Sequence, residues 1–294
     1  MIQNSMLSSQ NVSVKSQLGC MQVVEYTKDM SVSTLTARTE FFCSQMNVQR
    51  RQLLVNLNNN SVTVQAGAMQ WTAGNVQMSS GVQGAGDFLG KMVASKMTGE
   101  SAVKPVYSGN GQLMLEPTYR HIILLDVGSW GGSVVLDDGL FLACDSSIQQ
   151  KVTARSNLSS AVLGGEGLFN LCLMGQGIAA LESIVPMEEL IEVVLDNDCM
   201  KIDGNMAIAW SSSLQFTVEK SSRSLLGSAV SGEGLVNVYR GSGRIWMAPV
   251  ISGFGSAGMS NSAENASSSQ TGRSAASGVT DKLDKISGIV NLFT

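Results

Sequence analysis

The sequence predicts an all-β fold: a sandwich- or barrel-like domain of units recurring about every 66 residues, with a short C-terminal helix. Three observations carry this. From Met21 to about Ile251, short β-type runs alternate with Gly, Ser, Asn and Asp turns at close spacing. The chain also resembles itself at a fixed offset. Finally, 44% of the 294 residues are apolar and only 14% are charged, against about 25% charged in a typical globular domain, so much of the chain must face inward.

The repeat is clearest between "DDGLFLACDSSIQQKV" (Asp137–Val152) and "DGNMAIAWSSSLQFTV" (Asp203–Val218). There Asp137 aligns with Asp203, Ala143 with Ala209, Gln149 with Gln215 and Val152 with Val218. Downstream, "GGEGLFNLCLMGQGIAALE" resembles "SGEGLVNVYRGSGRIWMAP", and "TGESAVKPVYSGNGQLMLE" forms an earlier copy. The glycine pairs Gly109/Gly111, Gly175/Gly177 and Gly241/Gly243 read as three hairpin turns, because glycine supplies the positive φ of tight turns. The recurrent Glu100, Glu166 and Glu233 read as turn elements, since a single active site would not occur three times.

Taken in order, residues 1–20 are rich in Ser, Asn and Gln and read as a flexible N-terminus, followed by the repeated β domain over 21–251. Within it, "GVQGAGDFLGKM" (Gly81–Met92) resembles a phosphate loop but lacks its spacing: Ala85 stands five residues before Gly90, and Met92 replaces the hydroxyl residue. It reads as a glycine-rich crossover with a short helix over Phe88–Lys96. If the crossover does bind a ligand, Lys91 and Lys96 are the cations nearest to it. "DNDCMKIDG" (Asp196–Gly204) lacks calcium-loop spacing and reads as a turn. Met187–Ile191 reads as one helical turn, and residues 252–278 as a disordered Gly/Ser/Ala linker. In Val279–Thr294, Leu283, Ile286, Val290 and Phe293 share one helical face, while Asp281, Lys282, Asp284 and Lys285 lie largely elsewhere. That helix can dock on its own β domain, on a partner protein or on a membrane face. The membrane is least favoured, because its acidic and basic residues balance.

Candidate chemistry is sparse. The one histidine, His121, opens the apolar run "HIILLD" and reads as a strand flank. Five scattered cysteines without a CxxC suggest neither a disulfide frame nor a zinc site, and fit a reducing cytoplasm. The N-terminus lacks the pattern of a secretory signal. A net charge of −4 with few basic clusters disfavours nucleic acid. Trp71, Trp130, Trp210 and Trp246 read as core or subunit contacts rather than a ligand wall. Ile245-Trp246-Met247 is the exposed apolar face expected to meet a neighbour.

"SVTVQAGAMQWTAGNVQM", "LGKMVASKMTGES", "GEGLFNLCLMGQG" and "GEGLVNVYRGSGRIW", in that order, resemble the altered-inheritance-of-mitochondria family, number twenty-four of that series. The resemblance spans about Leu53 to Pro249. It implies a fold like that of the tryptophan RNA-binding attenuation protein and symmetric homo-oligomers, a trimer among them. It implies no catalytic residue and no cofactor. The functional expectation is a cytoplasmic, non-enzymatic, self-assembling scaffold or adaptor. The alternative is a binding module for a small molecule or nucleic acid that uses the 81–100 connection.

Overall fold

A computed structural model describes residues 5–80, 104–154, 169–220 and 235–249. Lys91, Lys96, the three Gly-Glu pairs, the linker and the C-terminal helix with Leu283, Ile286, Val290 and Phe293 lie outside these residues.

The architecture is all-β and barrel-like, as expected. Strands β1 (Val12–Leu18), β2 (Met21–Tyr26), β3 (Arg51–Val64), β4 (Met69–Ser79), β5 (Val106–Leu115), β6 (His121–Asp126), β8 (Phe141–Asp145) and β11 (Ile178–Ser183) form one sheet. Its main path runs β1-β2-β3-β8-β11-β6, with β5 also on β3 and β4 outermost on β5. The second sheet holds β7 (Ser133–Leu136), β9 (Gln149–Ala154), β10 (Phe169–Met174), β12 (Ile191–Asp203), β13 (Ala207–Ser211), β14 (Gln215–Lys220) and β15 (Leu235–Met247). Its path is β12-β15-β13-β7-β10-β9, with β14 also on β15. The pairings within each sheet are antiparallel.

Both sheets curl, and the apolar faces show why. Successive strand residues point to opposite sides. In β6, Ile123 and Leu125 join a core shared by the two sheets, while Ile122 turns into the curl of its own sheet. On β7, Val134 and Leu136 face the shared core, and Val135 faces a third core with Trp210, Tyr239 and Ile245. The central strands are therefore buried on both faces and read as unbroken apolar runs such as "FLAC" and "AIAW". These three cores, with a smaller cluster of Val24, Leu54 and Met114, hold most of the buried apolar residues among those described.

The structure corrects several expectations. The stretch 1–20 contains β1, paired with β2. The Gly-x-Gly pairs are not hairpin turns. Gly109 and Gly111 lie inside β5, and Gly241 and Gly243 inside β15. Each of these strands runs opposite a bulge whose extra residue, Asn59 or Asn197, has φ near +50° (53° and 50°). Gly175 and Gly177 instead carry the chain from β10 in one sheet to β11 in the other, with φ of 124° and 141°. "DNDCMKID" forms much of β12, not a turn. Trp246 is no exposed contact: it is 6% exposed, packs edge-on against Trp130 at 4.9 Å, and donates Nε1–H to Glu192 at 2.8 Å. Its flanks, Ile245 (fully buried) and Met247, belong to the core of the second sheet. His121 does open a strand, and Met187–Glu189 forms one short 3-10 turn.

Candidate functional site

Between β2 and β3 the chain leaves the sheet for residues 27–50 and returns beside its point of departure, where the Tyr26 N–H donates to the Arg50 carbonyl at 2.9 Å. This excursion carries helix α1 (Ala37–Gln45). Its N-terminus has no side-chain cap on the backbone, and its exit runs through Asn47 in the left-handed region at φ 61°. None of its residues is buried. A helix of nine residues is too short to persist alone in water, so its position rests on what ties its ends.

Two adjacent arginines do this in different ways. Arg51 is 2% exposed at its side chain and donates Nε–H to Glu25 at 2.7 Å. Its two terminal nitrogens reach the Gln49 carbonyl (3.2 Å), the Asn47 carbonyl (3.1 Å) and Asn47 Oδ1 (2.8 Å). One buried guanidinium thus joins the barrel wall to the helix exit, with a planar fork suited to several acceptors. Arg50 is half-buried beside α1, pairs with Asp29 at 3.0 Å and lies 4.2 Å over the Tyr26 ring. The Tyr26 hydroxyl donates in turn to Gln52 at 2.7 Å.

Beside α1 opens a cavity of about 390 Å³, bordered by Tyr26, Val32, Phe41, Val48, Arg50 and Tyr119. Burial, followed by the carboxylates of Glu40 and Asp29, pushes the Tyr119 phenol above its ordinary pKa, so it remains a neutral donor. Phe41 borders this cavity, and the same excursion leaves apolar side chains uncovered: Leu35 (92% exposed), Met46 (77%), Phe41 (61%) and Phe42 (57%). The two phenylalanines pack edge-to-face at 5.5 Å. Uncovered apolar groups gathered on one short excursion mark an interaction surface.

A second cavity of about 310 Å³ lies where the curled first sheet approaches closure, lined by β1 (Lys15 to Leu18), β6 (His121 to Leu124), Arg51 and Met187. No ladder joins β1 to β6. Burial, and then the Arg51 cation, lower the His121 pKa to about 4, so the ring is neutral near pH 7. The buried Cys144 thiol is pushed up to about 12 by burial, and Cys20 is raised by burial and by Asp145. Among the described residues, no three His, Cys, Asp or Glu groups are placed to hold a metal. No described helix is long and apolar enough to cross a membrane.

The tryptophans are not brought together as a ligand wall: Trp130 and Trp246 share the inter-sheet core, Trp210 fills the second sheet's own core, and Trp71 packs near Val24, Leu54 and Met114. Sequence reasoning passed over Phe41, Phe42, Arg50 and Tyr119. The available signal was "EFF", two adjacent aromatics that one face of a nine-residue helix cannot bury together.

Residues 42–250 match the family described as mitochondrial biogenesis AIM24. The chain belongs to the AIM24 family. An uncharacterized protein of Streptococcus pyogenes serotype M6 is 33% identical over 195 residues, which cover 64% of this chain and 76% of the relative. The crystal structure of a Streptococcus pyogenes protein is similar with a TM-score of 0.51 and 26% identity, over 79% of this chain and 94% of that one. The AIM24 match begins within α1. The helix exit, Arg50, Arg51 and Tyr119 therefore lie inside the AIM24 region, whereas β1, β2 and Asp29 precede it.

Proposed function

We propose that this chain is a non-enzymatic, self-assembling β scaffold, and that a second copy covers the face formed by α1 and its cavity. The observation that carries this reading is that α1 contributes no buried side chain, that Leu35, Phe41, Phe42 and Met46 stand exposed on the excursion, and that Phe41 borders an open cavity. Phe41 sets a projecting apolar group at the edge of a hollow, and a surface that carries both offers the self-complementarity a two-fold contact requires. Lys28, Arg38 and Arg50 with Asp29 and Glu40 place both charge signs on the excursion, so opposite charges are available for pairing between two copies. The matched bulges at Asn59 and Asn197, each opposite a strand glycine, support the reading of the barrel as pseudo-repeated units.

The test is the mass of the purified chain at tens of micromolar by light scattering after gel filtration. Wild type is expected as a defined homo-oligomer, and Phe42→Ser with Met46→Ser as a smaller species with an unchanged circular dichroism spectrum. A wild-type monomer across that range removes the reading.

A further inference from the structure

A strand at the rim of a sheet presents unpaired N–H and C=O groups, and stable folds guard such rims with charges, prolines, bulges or short length. Among the described residues six strands lack a neighbour on one side: β1, β4, β6, β9, β12 and β14. Five carry a charge: Lys15 in β1, Asp126 in β6, Lys151 in β9, Glu219 and Lys220 in β14, and Glu192, Asp196, Asp198, Lys201 and Asp203 in β12. β1 and β12 are also bulged within their length. The exception is β4, "MQWTAGNVQMS", with no charged residue and no proline over 11 residues. Its one irregularity is at its start, between Met69 and Trp71, and from Trp71 to Ser79 it pairs with β5 in unbroken register. None of its residues is buried, and only Trp71, Ala73 and Val76 are half-covered.

We infer that β4 is a second self-assembly edge, pairing antiparallel with β4 of another copy and joining two first sheets into one. The absence of charge is what selects a second copy. In a two-fold antiparallel pair, a charged residue near the axis meets or adjoins its own duplicate, so a charged rim repels itself. Every antiparallel register of β4 on β4 opposes only neutral side chains. The nine regular residues span about 30 Å of rim. This contact lies on a strand separate from α1 and does not depend on the α1 reading. Together, two isologous contacts per chain would extend the scaffold beyond a dimer.

Four proteins separate the two contacts: wild type, the α1 variant (Phe42→Ser, Met46→Ser), a β4 variant (Thr72→Lys, Gln77→Lys) and their combination. Thr72 and Gln77 are both exposed, so the lysines leave the fold intact, to be checked by circular dichroism. Light scattering should give a species larger than a dimer for wild type, a dimer for each variant and a monomer for the combination. Hydrogen exchange should show amides of 69–79 slowing severalfold as wild type is concentrated, and not in the β4 variant. If the β4 variant keeps the wild-type mass, or if β4 amides exchange at one rate at all concentrations, the β4 contact is overturned. An α1 variant of unchanged mass, with a β4 variant of halved mass, removes the α1 reading and leaves β4 standing. A wild type monomeric at hundreds of micromolar overturns both.

Discussion

Arg51→Met tests whether one buried guanidinium holds both the barrel wall and the α1 exit. Arg51 and Glu25 meet at 2.7 Å with side-chain exposures of 2% and 9%. Removing one partner of such a pair leaves a buried charge uncompensated and costs about 3–5 kcal/mol. Exposed pairs are typically worth about 0.2–1 kcal/mol. Arg51→Met also takes the donor from the Asn47 carbonyl, Asn47 Oδ1 and the Gln49 carbonyl. Glu25→Gln keeps those tethers. Urea unfolding should therefore show both single variants destabilised by about 3 kcal/mol or more, with Glu25→Leu/Arg51→Met recovering at least about 1 kcal/mol because no charge is left buried. Amide exchange across 37–48 should quicken in Arg51→Met but not in Glu25→Gln. A loss below about 1 kcal/mol in Arg51→Met, or equal exchange at α1 in both variants, would refute the double role.

Three further outcomes are expected. Trp246→Phe gives up the 2.8 Å bond to Glu192 and part of the edge-on packing with Trp130, and should cost about 1–3 kcal/mol by thermal or urea unfolding; a neutral result would mean that the indole is not fixed in the inter-sheet core. At Gly111 an added Cβ would lie 2.1 Å from the Ala73 carbonyl oxygen, so Gly111→Ala should drive β4 from β5 and speed exchange over 69–79, with the second sheet unaffected. For His121, the folded pKa of about 4 lies below the ordinary 6.5. Between these values the unfolded chain binds the proton and the folded chain does not, so stability should fall as pH drops from 6.5 towards 4. His121→Gln should flatten that part of the pH profile, and a profile unchanged by the substitution would show that another group sets it.

Much of the barrel was legible because the apolar residues of the strands leave little choice. "HIILLD" and "FLAC" are too apolar to be anything but inward, and they became β6 and β8. Local pattern could not say which sheet a strand enters. Gly-x-Gly looks the same at Gly109, Gly175 and Gly241, yet the outer two sit within continuous strands and the middle one changes sheets. That difference depends on which distant strands pair. "IWM" is apolar on both sides of the strand, so its sequence does not tell core from surface, and Trp246 was misplaced outside. α1 was missed because "ARTEFFCSQ" has no apolar stripe, having no core to face. The same deficiency marks it as a surface awaiting cover, which the sequence disclosed only once the helix was known to be unburied.

The passage of the chain through Gly175-Gln176-Gly177 has a consequence for how the molecule comes apart. From β6 onward the strands alternate between the sheets: β6 in the first, β7 in the second, β8 in the first, β9 and β10 in the second, β11 in the first, β12 in the second. Neither sheet is therefore a continuous piece of polypeptide, and no single cut between strands β6 and β12 yields the two sheets as separate pieces. Both sheets are assembled largely from residues far apart in sequence, which favours slow folding. A fragment ending anywhere in that stretch would lack β12 to β15 and leave unfinished the second sheet, whose apolar face covers the shared core.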